Sequence, residues 1–567
     1  MDQRFIGGGA DRRVKMTGFT TIRSLGLSLI VALSLLVGCA RDAQGPTDEE
    51  RRLIAGDLGG RKVDLAKITD ARSMPNQCST HPAIANLSAS PSWNGWSPDT
   101  ENTRFQPAQA AGLVVAQVPR LRLKWAFGFP AAEAMWGQPT IAAGRIFIGV
   151  DTGAVYSLDA TTGCVHWSFQ AEKGVRNAIS IGPVKGHSSA KYAIYFGDMK
   201  ANVYAVNAVN GELLWRTKVE DHPLALITGA PKLYGNRLYV PVSSTEEVEG
   251  GMVSYPCCSF RGSVVALDAD TGRQVWKTYI ISETPKPVRK NSKGVQLWAP
   301  AGGAVWNSPT IDARRHAIYI GTGNSYNEPV AKTIDAVMAL DMYGGRVLWS
   351  VQDTDNDASV DDCAEQNASE NCPKDLGPDF DFGSSPILRT LPGGRRILVA
   401  GQKNGMVWGH DPDRRGIVIW KAQLVEKLAQ DMIVFGGAAD EENAYFGLGS
   451  GGVVAVQLKS GDRQWFAPVP ASQAQGSRGG ETAALTAIPG VVFSGGRDGV
   501  VRAFSTSDGR LLWQYSTLRV FTTVNGVAAH GGSMGAPGPT VAGGMLFVGS
   551  GYRWGNKGNV LLAFSPN

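Results

Sequence analysis

Residues 156–167 read YSLDATTGCVHW, and this phrase decides the fold because the chain repeats it. It returns as YAVNAVNGELLW (204–215), VALDADTGRQVW (265–276) and MALDMYGGRVLW (338–349). Looser copies are WGHDPDRRGIVIW (408–420), VAVQLKSGDRQW (454–465) and RAFSTSDGRLLW (502–513). The clearest copies hold a short strand, a turn carrying Asp or Asn and then Gly, and a second strand ending in Trp. Period-two alternation marks strands, and the Asp-to-Gly segment supplies a hairpin turn. One such small sheet cannot bury both its faces, whereas sheets stacked around an axis bury each other. An eighth tryptophan, Trp125 in LRLKWAF (121–127), has the strand but no turn before it. Its missing half stands at the other end of the chain, in NVLLAFSPN (559–567). The expectation is an all-β, eight-bladed propeller, closed by Leu121–Phe127 pairing with Val560–Phe564.

From Trp167 onward the repeat tryptophans are 45 to 73 residues apart. The wide intervals, 215–276, 276–349 and 349–420, must hold insertions, and insertions on one face of a repeat array build binding sites. Composition agrees: 70 Gly and 15 Trp suit short strands with tight turns, and 43% hydrophobic residues supply a large core. A net charge of +5 without a basic stripe excludes nucleic acid as a partner.

The N-terminus reads as an export signal over residues 1–38. Arg12, Arg13, Lys15 and Arg23 precede the apolar run LGLSLIVALSLLV (25–37), which is short for a membrane span. The run ends in LVGC (36–39), like a bacterial lipoprotein signal, so Cys39 is expected to carry the lipid that tethers a periplasmic protein. Residues 39–90 show no repeat and read as the tether. The propeller is expected to begin near SWNGWSPDTENTRFQP (92–107). Export means oxidising conditions, in which the other six cysteines can form disulfides.

Over roughly residues 92–567 the repeats resemble the tryptophan-docking propeller of quinoprotein alcohol dehydrogenases, which use pyrroloquinoline quinone (PQQ) and bound calcium. WNGWSPDTENTRFQP, VPVSSTEEVEGG, YPCCSFRGSVVALDADTG, GSMGAPGPTVAGGMLFVGSGY and GNVLLAF are most similar to the polyvinyl alcohol dehydrogenase branch. The resemblance implies oxidation of secondary alcohols, polyvinyl alcohol among them, by base-assisted hydride transfer to PQQ. No Cys-x-x-Cys-His haem motif occurs, so a separate cytochrome c or quinone is expected to take the electrons. The rival is a non-enzymatic propeller lipoprotein that scaffolds outer-membrane protein assembly. It shares the repeats, so the inserts must decide.

Those inserts carry the candidate site. Glu246 and Glu247 follow a strand in LYVPVSSTEEVEGG, and carboxylates suit calcium, a hard cation. By register the resemblance assigns the calcium role to Glu246. It assigns a second ligand to Asn324 of the GTGN motif (321–324). In GPDFDFGSSPIL it makes Asp379 the general base and a further calcium ligand, with Asp381 as the alternative base or an added ligand, the latter a feature of lanthanide-using members. Trp306 falls outside the docking register and is expected to stack on the quinone. Lys403, with Asn404, would hold and polarise the quinone oxygens, and Arg261 would grip a carboxylate of this tricarboxylate. DTDNDA (353–358) opens like a calcium-binding EF-hand but has Ala358 where Gly is needed, and reads as a solvated acidic loop.

Of the cysteines, Cys363 and Cys372 are expected to close a local disulfide. Cys78 and Cys164 remain as a pair that sequence leaves open. Cys257 and Cys258 then pair with each other, and the resemblance places their ring against the quinone face opposite Trp306.

Overall fold

The computed structural model describes residues 65–363, 369–430, 432–469 and 480–566. The expected signal and Cys39 lie outside the described residues. Eight antiparallel sheets form the blades of a propeller. Blade 1 is Thr140–Ala142, Arg145–Gly149, Ala154–Asp159 and Val165–Gln170, and the others follow in chain order. Blade 8 combines Thr540–Ala542, Met545–Ser550 and Val560–Ser565 with Arg122–Gly128 from the other end of the chain. Trp125 stands opposite Ala563 and Phe127 opposite Leu561, so the ring closes as the split repeat requires.

The repeat residues serve two neighbours at once. All eight repeat tryptophans are buried, none more than 9% exposed. The indole N–H of Trp167, Trp215, Trp276, Trp420 and Trp465 donates to a carbonyl of the following blade at 2.8–3.2 Å. The turn glycine of that next blade lies flat on the ring. A Cβ on Gly211 would stand 2.8 Å from the Trp167 ring, and one on Gly272 2.6 Å from that of Trp215. Both glycines also have positive φ, +78° and +71°. Their replacement therefore meets backbone strain and a clash together. Trp276→Ala removes a buried ring and its bond to the Met342 carbonyl. It is expected to destabilise the protein by about 3–5 kcal/mol, read as a lower urea midpoint.

Residues 93–106 form no blade. They run across the innermost strands and bond to each blade in turn. Trp93 pairs with Ile141, Asn94 with Ile181, and Lys232 Nζ donates to the Asp99 carbonyl. Ile311, Leu388, Ala439 and Ala487 donate their N–H groups to the carbonyls of Thr100, Glu101, Thr103 and Arg104. Gln106 Nε2 completes the circuit on the Val541 carbonyl. The stretch ahead of it is also held. Gln77 bridges to Val165, and the Cys78–Cys164 disulfide fastens it to the outer strand of blade 1. What sequence suggested as a tether up to residue 90 is thus docked on the propeller from Thr69 onward.

Strand direction alternates within each blade. The loops between second and third strands and the connections between blades therefore emerge on one face. That face carries all the candidate residues.

Candidate active site

The connection from blade 4 to blade 5 positions the two aspartates. Asp379 has a φ of +58°, unfavourable for a residue with a side chain. Asp357 holds it there: its carboxylate accepts the backbone N–H groups of Asp379 at 3.0 Å and Phe380 at 2.7 Å. Asp379 Oδ2 accepts from Lys403 Nζ at 2.5 Å and from Gln430 Nε2 at 2.8 Å. Its Oδ1 is buried without a hydrogen-bond partner among the described residues. Burial, against the pull of Lys403 and with the push of Asp381, raises the Asp379 carboxyl to about 8.

Asp381 is a bracket. Its Oδ1 accepts the Asn324 N–H at 2.7 Å and its Oδ2 the Trp306 indole N–H at 2.8 Å. The Trp306 ring lies on Gly383, where a Cβ would fall 1.9 Å from its Cη2 atom. Asn324 is 1% exposed. Its Nδ2 donates to the carbonyls of Ser325 and Ser359, which fixes the amide orientation because both neighbours are acceptors. Asn324 Oδ1 is thereby presented with no donor among the described residues. Two orphaned oxygens, one amide and one carboxylate, have the chemistry of ligands for a hard cation.

The glutamates do not sit as register suggested. Glu246 and Glu247 open a one-turn helix, Glu246–Glu249. Glu246 is fully buried and already saturated. It accepts from Tyr255 Oη and the Ser259 N–H at 2.9 Å each and from the Phe260 N–H at 2.8 Å, with His222 Nε2 3.3 Å away. Glu247 instead interacts with Asp379, Asp381 and Lys403, and burial first, then those two carboxylates, push its carboxyl well up. Asp335, fully buried, adds another acid whose carboxyl is pushed well up by burial and by the charge of Asp357.

Cys257 and Cys258 form the expected vicinal disulfide, and Cys363–Cys372 closes the expected local one. Both cysteines of the vicinal pair are buried in an apolar cluster with Phe260, Ala304 and Tyr326, and Trp306 packs against that cluster. Asn327, three residues beyond Asn324, donates to the Cys258 carbonyl. The pair and Trp306 therefore belong to one apolar cluster, and Asn327 ties the pair to the chain just past the GTGN motif.

Three expectations do not survive the geometry. Arg261 Nη1 donates to the carbonyls of Ile281 and Ser282 at 3.2 and 3.1 Å, and its guanidinium lies 3.8 Å over the Tyr279 ring, so it is tied to its own blade. Asn404 is 3% exposed and turned into its own hairpin, accepting the Met406 N–H and donating to Gln402. DTDNDA is not a solvated loop: Asp357 is fully buried, and Asp353 pairs with buried His410 at 3.4 Å. Sequence reasoning thereby missed Asp357, whose signal was an acidic residue just ahead of the insert that ends in Asp379.

The description "Glucose/ethanol/alcohol dehydrogenase, beta-propeller domain" matches residues 93–369. Over 557 residues the chain is 39% identical to a polyvinylalcohol dehydrogenase of Pseudomonas sp, covering 92% of this chain and 86% of that protein. The chain belongs to the PQQ-dependent alcohol dehydrogenase family. A second polyvinylalcohol dehydrogenase, from Sphingopyxis sp. (strain 113P3), is 38% identical over 92% of this chain and 85% of its own. Among solved structures, quinohemoprotein alcohol dehydrogenase from Comamonas testosteroni shares the fold, with a TM-score of 0.60 at 17% identity over 89% of this chain and 84% of that one. The description "Outer membrane protein assembly factor BamB" matches residues 259–497, a span rich in the docking repeats that the two groups have in common. This quinoprotein is an alcohol dehydrogenase by family, and the acidic cluster between blades 3 and 5 is its candidate active site.

Proposed function

We propose that this quinoprotein oxidises secondary alcohols, polyvinyl alcohol among them, with PQQ seated between Trp306 and the Cys257–Cys258 ring. The observation that carries the reading is the pair of unpartnered buried oxygens, Asn324 Oδ1 and Asp379 Oδ1, beside the carboxyl of Glu247. Glu247 and Asn324 would hold calcium. Asp381 orients Trp306 and the GTGN loop through one donor on each of its oxygens.

When bound, PQQ supplies the hydride-accepting carbonyl and calcium the Lewis acid. The chain does the rest. Asp379 Oδ1 receives the hydroxyl proton of the alcohol, while Lys403 and Gln430 fix the other oxygen of that carboxylate. Asp357 keeps Asp379 in its left-handed conformation, so the base is aimed before substrate arrives. Electrons would leave to a separate cytochrome c or quinone, and Cys39 would anchor the protein by lipid in the periplasm.

The scaffold reading has no use for four buried acidic side chains, Asp335, Asp357, Asp379 and Asp381, gathered in one cluster. A panel of alcohols offered to the PQQ- and calcium-loaded protein with an artificial dye acceptor separates the two. Secondary alcohols and polyvinyl alcohol are expected to reduce the dye; no reduction with any alcohol supports the scaffold.

A further inference from the structure

We propose that Arg176, not Arg261, clamps a carboxylate of the quinone cofactor. The inference rests on the PQQ reading above and names the cation that reading needs.

Arg176 stands just ahead of the innermost strand of blade 2 and shares with Trp306 the wall of a pocket at the propeller axis. The Arg176 guanidinium lies over three rings: Trp136 at 5.1 Å, Trp554 at 5.6 Å and Phe435 at 6.0 Å. Trp136 and Trp554 are themselves stacked, 5.5 Å apart and 19° from parallel. Phe435 meets Trp306 edge to face at 6.0 Å, so the aromatic box around Arg176 is continuous with the proposed quinone platform.

What singles out Arg176 is its lack of partners. Arg176 is half-buried, whereas the fully buried arginines are satisfied. Arg104 bonds to the carbonyls of Trp96 and Leu485 and to Gln138, Arg396 to Asp312 and Asp413, and Arg502 to Glu481 and Asp498. Among the described residues nothing accepts a hydrogen bond from Arg176 and no carboxylate pairs with it. Aromatic faces stabilise a cation but leave its N–H edge unbonded. A guanidinium presents five N–H groups in a fixed fork that matches a carboxylate. A flat polycarboxylate lying on Trp306 would supply both the missing charge and the missing acceptors.

The test is equilibrium dialysis of PQQ against the full-length protein stripped of cofactor, at fixed calcium. Arg176→Gln is expected to raise the Kd about 10- to 100-fold, and Arg176→Lys, which keeps the charge without the fork, by less. The trimethyl ester of PQQ, which carries no carboxylate, should bind the unaltered protein and Arg176→Gln within about threefold of each other. Unchanged PQQ affinity in both variants overturns the proposal. An equal loss for PQQ and its ester also overturns it, because Arg176 would then only support the aromatic box. Failure of the unaltered protein to bind PQQ is a different result and defeats the cofactor reading itself.

Discussion

Replacing Asp379 with Asn is expected to leave PQQ and calcium bound and to lower kcat about 1,000-fold, the scale of a lost general base. The amide keeps the size of the carboxylate and still accepts from Lys403 or Gln430, so the fold is unchanged. What disappears is the atom that takes the proton. The pH dependence gives a second reading of the same residue. Burial raises the Asp379 carboxyl to about 8, so it is protonated, and useless as a base, below that range. kcat/KM therefore rises with pH, along a limb at or below 8 because a bound cation favours the ionised form. Lys403 opposes the rise in the Asp379 carboxyl. Removing it in Lys403→Met should move the limb to higher pH, whereas an unmoved limb would assign the proton transfer to another group.

Glu247→Gln is expected to weaken calcium binding at least about 100-fold with little change in stability. Glu246→Gln should do the reverse. Glu246 accepts from Tyr255 Oη and from two backbone N–H groups just past the vicinal disulfide. An amide in its place turns a donor toward other donors, a loss of about 1–3 kcal/mol in a buried site. Isothermal titration with calcium and a urea melt on the two variants separate the roles. Equal calcium affinity in Glu247→Gln, with a loss in Glu246→Gln, would return the metal to Glu246.

That contrast shows where sequence stops. Neighbours on a helix point about 100° apart, so a shift of one position in the Glu246–Glu249 turn decides whether a carboxylate meets the cluster or its own loop. The repeats carried no such ambiguity: strand, turn glycine and tryptophan recur until only one closure joins Trp125 to the last strand. Asp379, Asn324, Trp306 and Lys403 could be picked out because each stands in a short motif, and the fold joins Asp379 to Lys403 and Asp381 to Asn324 and Trp306. Arg261 misled because a motif position does not reveal that Tyr279 and two carbonyls already occupy the side chain. Asp357 was hidden for the opposite reason. A run of acids looks solvated until the insert folds over it, and then the same charge positions Asp379. Arg176 lies in no motif at all; only its aromatic surroundings, drawn from three distant parts of the chain, mark it.

The central claim is that one metal-dependent quinone site is assembled from the inserts of blades 3, 4 and 5. Its most direct test is PQQ retention: metal-free protein is mixed with PQQ, with and without calcium, and gel-filtered. One quinone per chain should travel with the protein when calcium is present and be lost when a chelator replaces it. Quinone that never travels with the protein, or that stays bound equally well without the cation, would contradict the site described.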